Sequence, residues 1–376
     1  MKLKNIIGGL SRCTIFGNKS PRPLFFKEGF IRRTEYAPFD KGSRALRGGI
    51  FRHAVARFLI AAVPVLLLPG CAFFKGTMNS TDDAQEDGAQ SVVFWEEIDG
   101  GTEGNVVVGL KHVRFLRPVA VAARGNFIYV VDAGQNLLYR YSRDFGKLTT
   151  LKDLKTIVTG EVTDLYVDRD LSFYITDTDG GRVLHFDREG NLIQIFEDRR
   201  NLARPVSVIV DETSGQILIA DGFNDDVLVY NRLGILQGAI GARGIEAGQF
   251  MNITSITEGP DGIYVTSRLG HRVQVMSHDG DYIKSFQENT VTFPLAIVVD
   301  QDKRAFVGDY MDNTIKVYTD GRLVDKLGGS GAGPGRFKRI TDMWLDEGLL
   351  YVADSLNGRI QVARIMPAAV EQDPVE

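Results

Sequence analysis

Hydrophobic and polar residues alternate along this chain in a pattern that occurs six times. A short apolar run ends on an anchor residue, a polar turn of four or five residues follows, and a second apolar run begins, as in ILIADGFNDDVLVY at 217–230. The anchor positions recur every 42 to 46 residues, at Asp132, Asp177, Asp221, Ser267, Asp309 and Asp354. Short strands at a fixed period of about 40–50 residues are typical of a β-propeller with one blade per repeat. The pattern therefore predicts an all-β protein with six blades.

Each repeat predicts four strands in a fixed order. An inner strand such as Val206–Asp211 comes first, and turn-forming residues follow it. The second strand ends at the anchor residue, the third alternates apolar and polar positions, and the fourth follows an Asp-Gly-type turn. The last repeat ends after its third strand, Arg359–Ile365. We expect Ser91–Glu97 (SVVFWEE), which precedes the first repeat, to supply the missing strand and close the ring, because this pairing leaves no edge exposed.

The repeats share further features that point to a known family. Pro118, Pro205 and Pro294 open inner strands, Tyr-Val-x-Asp ends a second strand, and Gly-rich linkers that end in Phe occupy 241–250 and 328–337. Together these features resemble the NHL repeat, and the resemblance covers about Val113 to Ile365. Ser267 departs from it, because that position usually holds Asp. The resemblance implies a six-bladed propeller of the NHL type.

The first 90 residues lack the repeat and divide into three segments. Residues 1–43 form an extension that we expect to come from an over-extended gene start. In 44–70, arginines precede the apolar run Phe58–Leu68, which is too short to span a membrane and is typical of a signal peptide. Leu-Pro-Gly-Cys at 68–71 resembles the lipobox of bacterial lipoproteins, which implies cleavage before Cys71 and diacylation of its thiol. Residues 71–90 are mostly polar and acidic, which indicates a tether.

These segments predict where the protein resides. The lipobox resemblance, with Ala72 after the cysteine, implies an exported lipoprotein that is anchored in the membrane through Cys71 and faces the periplasm, at the outer membrane or elsewhere in the cell envelope. The alternative is an ordinary secretory signal with an incidental cysteine. Residues 91–366 would form the propeller and 367–376 a tail. The mature chain would keep one cysteine, so packing without a disulfide must stabilise it. We expect a monomer.

The net charge hides an asymmetry between the two parts of the chain. The whole sequence carries −4, but residues 1–57 hold 13 Lys and Arg against three acids. The remaining residues, 58–376, therefore carry −14. Some NHL-type propellers bind RNA, but an acidic domain behind an export signal argues against nucleic acid as a partner.

The inner strands offer one candidate metal site. Aligned on the acid that ends each strand, one column of side chains facing the channel reads Ala120, Asp164, Ser207, Thr254, Ala296 and Asp342. Asp164 and Asp342 could hold a cation through oxygen ligands, as Ca²⁺ prefers. Gluconolactonase-like hydrolases resemble this architecture and use a Ca²⁺ on inner strands, so a Ca²⁺-dependent hydrolase or lactonase is the alternative function. Otherwise these carboxylates cap turns at the channel mouth, and the anchor Asp residues have a structural role.

Other catalytic chemistry finds little support in the sequence. It contains no Gly-x-Ser-x-Gly elbow, no His-Glu-x-x-His and no P-loop. The amidating-enzyme lyase, whose domain also resembles NHL blades, needs several His ligands for zinc. The histidines of the mature chain lie in separate turns and outer strands, so their convergence on one ion is improbable. We therefore predict no resident cofactor, unless the channel carboxylates hold the Ca²⁺ of the alternative function.

Large apolar and aromatic residues in the polar turns suggest a binding surface. Phe223, Tyr310 and Met311 follow anchor residues, at positions where exposure of an apolar side chain is unusual. With Arg268 and Arg272 nearby, they would form a partner-binding face. The favoured function is thus non-enzymatic: an envelope propeller that binds a protein, peptide or glycan partner.

Overall fold

The computed structural model describes residues 91–105, 107 and 109–367. Within these ranges the protein is all-β, without an α-helix, and a 3₁₀ turn spans Ser355–Asn357. No helix in the described part has the length and apolar character needed to cross a membrane. The predictions made for 1–90, including the signal peptide, Cys71 and the tether, and for 368–376 lie outside the described residues.

Strands of this part of the chain form six sheets, which are the blades of a propeller. The chain begins with β1 (Val92–Ile98), β2 (Gly100–Asn105) and β3 (Gly109–Arg114). Blade 1 continues with β4 (Pro118–Arg124), β5 (Phe127–Asp132), β6 (Leu137–Ser142) and β7 (Lys147–Asp153). Blade 2 consists of β8 (Leu165–Val167), β9 (Phe173–Asp177), β10 (Arg182–Phe186) and β11 (Leu192–Glu197). Blade 3 consists of β12 (Pro205–Val210), β13 (Ile217–Asp221), β14 (Asp226–Tyr230) and β15 (Leu236–Ile240).

The second half of the ring follows the same order. Blade 4 has the short β16 (Ala242–Arg243) and then β17 (Gln249–Gly259), β18 (Gly262–Leu269), β19 (Val273–Met276) and β20 (Tyr282–Ser285). Blade 5 consists of β21 (Pro294–Val299), β22 (Arg304–Asp309), β23 (Thr314–Thr319) and β24 (Arg322–Gly328). Blade 6 contains β25 (Ile340–Asp346), β26 (Leu349–Asp354), β27 (Arg359–Ile365) and β1. The predicted six-bladed fold is confirmed.

The first and last strands close the ring, as the sequence predicts. β1 pairs antiparallel with β27, with Val92 opposite Ile365. Val92 is buried, and the ring of Phe94 packs on that of Phe337 with centroids 5.7 Å apart. Blade 6 is therefore completed by a strand from the other end of the propeller, which leaves its third strand no free edge.

Blade 1 carries an extra hairpin that the sequence pattern does not predict. β2 and β3 pair antiparallel, and Thr102 lies opposite Lys147 of β7 in parallel, so this blade has six strands. The Gly-rich sequence of β2 lacks the apolar alternation that marks a strand. At Gly100 a Cβ atom would lie 2.0 Å from the carbonyl oxygen of Val113. Only glycine permits this close approach of the two backbones.

The hydrophobic core lies between neighbouring blades. Buried side chains of adjacent sheets form shared clusters, such as the one that joins blades 1 and 2. In it the rings of Tyr129 and Phe173 lie 5.9 Å apart. Such aromatic contacts stabilise the packing beyond the area they bury.

The anchor residues connect the turns at one end of each blade. Asp221 accepts hydrogen bonds from the N–H groups of Ala203 (2.6 Å) and Phe223 (2.8 Å). Asp177 and Asp354 each pair with the arginine five residues further along the chain, at 2.8 Å. These contacts give the anchor residues the structural role expected from the sequence.

Blade 4 compensates for its missing anchor carboxylate. The hydroxyl of Ser267 is buried and has no hydrogen-bond partner among the described residues. In its place Asp225 of blade 3 accepts a hydrogen bond from the N–H group of Ile253 (3.1 Å) and pairs with Arg243 (2.9 Å). A carboxylate from the neighbouring blade thus holds the start of the inner strand of blade 4.

The inner strands, which are β4, β8, β12, β17, β21 and β25, line the central channel. Pairs such as Pro205 opposite Asp221 place the start of four inner strands, β4, β12, β21 and β25, directly opposite an anchor residue. We call the end of the channel at these anchor turns the anchor face, and the other end the opposite face.

Candidate functional site

A pocket of about 320 Å³ opens at the channel mouth on the anchor face. Guanidinium groups from four blades line it, and they belong to Arg117, Arg204, Arg268 and Arg339. Three of these arginines directly precede an inner strand, and the fourth lies near the end of β18. Because they are far apart in sequence, only the closed ring brings them together.

Aromatic rings support two of these arginines. The guanidinium of Arg268 lies 4.0 Å from the ring centroid of Phe293, and that of Arg339 lies 5.1 Å from the ring centroid of Tyr310. The two rings also contact each other, with centroids 5.1 Å apart. Stacking of this kind restrains a guanidinium while its N–H groups remain available to a ligand.

The sequence-predicted binding residues fall into three groups. Arg268 and Tyr310 line the pocket. Phe223 and Met311 lie outside its lining and are 60% and 61% exposed. Arg272 is half-buried and does not line the pocket, although its carbonyl accepts a hydrogen bond from the N–H group of Ser267. The structure thus brings two of the five together in one cavity and leaves Arg272 apart.

Exposed apolar side chains lie next in sequence to residues that line this mouth. Each is the chain neighbour of a residue that lines the pocket, and they are Leu116, Phe223, Leu269, Met311 and Leu356. They come from blades 1, 3, 4, 5 and 6. We call these five side chains the apolar rim.

Sequence reasoning missed most of the pocket. It did not single out Arg117, Arg204, Arg339 or Phe293, although the residue before an inner strand is the signal that could have found them. Arg-Pro occurs at 117–118 and 204–205, Phe-Pro at 293–294, and Arg339 precedes Ile340. These positions point into the mouth because the inner strands begin there.

The opposite face has a larger cavity of about 860 Å³ that reaches into the channel. Asp164 and Asp342 line it, together with Tyr166 and Trp344, whose rings meet edge to face at 5.3 Å. The set of channel-facing residues predicted from the sequence is wrong at one position, in blade 4. Inner strands bulge near their start, and the register there places Ser255, not Thr254, in the column.

Both channel carboxylates bind the inner strand of the next blade. Asp342 accepts hydrogen bonds from the N–H groups of Val121 (2.8 Å) and Met343 (2.8 Å). Asp164 accepts them from the Ser207 hydroxyl (2.6 Å) and from the N–H groups of Val208 (2.7 Å) and Leu165 (2.8 Å). Burial raises the pKa of both groups, and the negative charge of Asp164 raises the pKa of Asp342 further.

This arrangement does not fit a Ca²⁺ ion. Ca²⁺ takes six to eight oxygen ligands, whereas every carboxylate oxygen of Asp164 and Asp342 already accepts a hydrogen bond. The remaining column positions offer two alanines and two serines, and the Ser207 hydroxyl is engaged with Asp164 and with the N–H group of Ile256. The two carboxylates therefore join blades, and we derive no metal chemistry from them.

A second group of metal-ligating side chains lies at the opposite face. Ligand atoms of Asp211, Glu258 and His278 lie within 4.8 Å of one another. His278 Nε2 is 3.3 Å from Glu258 Oε1, and Asp211 accepts hydrogen bonds from the hydroxyl and the N–H group of Ser214. Contacts within the protein account for this group.

Comparison with known proteins supports the fold. No protein-family model and no curated protein matches the chain. Among solved structures, virginiamycin B lyase from Staphylococcus aureus is 14% identical with a TM-score of 0.52, over 66% of this chain and 95% of that one. A streptogramin B lyase is 11% identical with a TM-score of 0.52, over 74% and 100%. A protein of unknown function from Bacteroides thetaiotaomicron is 17% identical with a TM-score of 0.54, over 67% and 70%. At such identities the similarity shows that the chain shares the propeller fold, and nothing more.

Proposed function

We propose that this chain is a non-enzymatic binding propeller whose anchor face holds a protein partner of the cell envelope. The observation that carries the proposal is the apolar rim around the mouth pocket. Five exposed Leu, Phe and Met side chains from different blades are chain neighbours of residues that line a cavity of arginine and aromatic groups. Aromatic residues, Met and Arg are the residue types enriched at protein interfaces.

The chemistry of the rim favours a protein over a glycan. Flexible Met and aliphatic side chains gain most from burying apolar surface, which a partner protein can supply over a wide area. A ring of contacts around a central pocket also matches the usual arrangement of an interface, in which a few central residues contribute most of the affinity. Peptide and glycan ligands are the competing outcomes of the test below.

The cellular setting is part of the same proposal. An NHL-type propeller at 91–366 would follow a signal peptide at 44–70 and a tether at 71–90, with a diacylated Cys71 holding it in the membrane as a monomer. Its partner would then be another envelope protein. A Ca²⁺-dependent hydrolase centred on Asp164 and Asp342 is less well supported, because the described channel residues lack a ligand set for that ion.

A capture experiment tests the binding role. The protein, immobilised and incubated with envelope extract, is compared with the double variant Phe223→Ser/Met311→Ser, which removes two apolar groups of the rim. We expect a retained protein that the double variant loses, because the apolar area that holds it is gone. Protease treatment of the extract before capture should abolish the signal.

The matched control changes the opposite face. Phe145 and Leu233 lie in turns there and are 81% and 79% exposed, so Phe145→Ser/Leu233→Ser removes similar groups outside the rim. This control should retain the partner. Equal loss in both double variants, or a captured ligand that resists protease, would contradict the proposal.

A further inference from the structure

The four arginines of the mouth pocket have no acidic partner. Neither a hydrogen bond nor an ion pair within the described chain engages the guanidinium of Arg117, Arg204, Arg268 or Arg339. Among the described residues, Glu161 is the one acidic residue that lines the same pocket. Other arginines of the propeller, such as Arg182 and Arg359, are paired with carboxylates at 2.8 Å. The lining of the mouth therefore carries more positive than negative side chains.

This excess stands out against the rest of the molecule. The chain beyond residue 57 is strongly acidic, and acidic residues outnumber arginines in the lining of the opposite mouth, where Asp164, Glu212, Glu258, Asp300, Asp342 and Asp346 are found. Bringing four like charges to one pocket costs free energy unless a ligand or solvent offsets it. A bound anion would remove that cost.

The pocket has the size and the lining of a small-ligand site. Its volume of about 320 Å³ is at the lower end of the range for pockets that hold small molecules. Thr341 adds a hydroxyl group, and the contacting rings of Phe293 and Tyr310, whose planes are inclined by 56°, add an apolar wall. Planar guanidinium groups bind carboxylate and phosphate oxygens in pairs. Four guanidinium groups can donate more hydrogen bonds than a single monoanion can accept in pairs.

We propose that the mouth pocket binds a small organic anion that carries at least two negative charges, as carboxylates or a phosphate, on an apolar or aromatic body. The arginines of four blades would hold the anionic group, and the Phe293–Tyr310 wall would contact the body. The site lies at the centre of the proposed interface, but anion binding needs only the arginines and rings within the mouth and no contact with the rim.

Calorimetric titration of the full chain at low ionic strength, in a buffer without multivalent anions, tests the site. The probes are phenyl phosphate, citrate, inorganic phosphate and phenol. We expect phenyl phosphate or citrate to bind with one-to-one stoichiometry, inorganic phosphate to bind more weakly, and phenol not to bind. Comparison of citrate with phenyl phosphate decides between carboxylate and phosphate chemistry. Affinity should fall as salt rises, because the contact is between charges.

Two double variants and one control connect the binding to the pocket. Arg268→Gln/Arg339→Gln and, separately, Arg117→Gln/Arg204→Gln should each weaken binding by roughly tenfold or more, since each charge-assisted contact contributes to affinity. Arg199→Gln, at an arginine that is 91% exposed and pairs with Glu197, should bind as the unmodified chain does. Unchanged melting temperatures would show that the variants fold.

Two results would overturn the proposal. One is that none of the anions binds. The other is that both double variants bind as tightly as the Arg199 variant. Neither result would affect the capture experiment on the rim, and loss of the protein partner in that experiment would leave the anion site standing.

Discussion

Three carboxylates meet in the turn at the end of the second strand of blade 3. Asp221 is saturated with backbone hydrogen bonds, and Asp225 pairs with Arg243. Asp226 has a buried oxygen without a hydrogen-bond partner among the described residues. Burial, and then the charges of Asp221 and Asp225, raise the pKa of Asp226 to about 6. The ionised side chain of Asp226 therefore destabilises the folded state at pH values above its pKa.

The variant Asp226→Asn should be more stable than the unmodified chain above pH 7. The folded pKa of Asp226 lies above its unfolded value of about 4, so the folded state holds this proton more tightly. The stability that this tighter proton binding gives the folded state is fully present below about pH 4 and is lost as pH rises through about 6. A neutral amide avoids the loss. Because the group is partly exposed and screened, we expect a gain on the order of 1 kcal/mol.

Urea unfolding at several pH values between 4 and 8 measures the effect. The difference between Asp226→Asn and the unmodified chain should grow with pH across this range. Asp225→Asn is the matched control: it weakens the ion pair with Arg243 and should destabilise the fold near pH 7. A constant difference between pH 4 and 8, or a less stable Asp226 variant at pH 8, would contradict the assignment.

At the scale of elements, the closing strand shows how closely the alternation of apolar and polar residues predicts the bounds of a strand. The prediction placed it at Ser91–Glu97, and the structure has it at Val92–Ile98, with a bulge between Phe94 and Glu96. Apolar alternation indicates a strand, but the bulge depends on how the partner strand twists. The adjacent hairpin of β2 and β3 has no such alternation, so only the structure reveals it.

Two neighbouring valines test the closing strand. Val92 is 3% exposed and Val93 is 42% exposed, because successive side chains of a strand point to opposite faces. Val92→Ala should cost about 1–3 kcal/mol of unfolding free energy, since it leaves a cavity in the blade 6 core. Val93→Ala should change it by less than about 0.5 kcal/mol. Equal effects in chemical denaturation would mean that β1 does not close the ring as described.

At the scale of the whole molecule, the two ends of the propeller meet in one blade. Val92 at the start of β1 lies opposite Ile365 at the end of β27, and the N–H group of Met366 donates to the carbonyl of Ser91 at 3.0 Å. A short turn could therefore join the end of β27 to the start of β1. The ring depends on which strands pair, and not on the order in which the chain supplies them.

A circular permutant tests this view. It starts at Asp99 and carries 91–98 after residue 367 through a short Gly-containing turn. We expect it to melt within a few degrees of a reference chain that starts at residue 91, because the same strands pair. A chain that lacks 91–98 altogether should be far less stable, since the last blade then has an open edge. A permutant as unstable as the deletion would contradict ring closure by pairing alone.

The sequence by itself determined the period, the number of blades, the closing strand and the structural role of the anchor carboxylates. These features depend on alternation and turn chemistry within about 45 residues, where local spacing fixes which side chains meet. Only the tertiary structure decided the site. Arg117 and Arg339 lie in one pocket although 222 positions separate them, and the column corrected to Ser255 depends on a bulge set by strand pairing. Closure of the ring brings together residues whose sequence spacing carries no sign of their proximity.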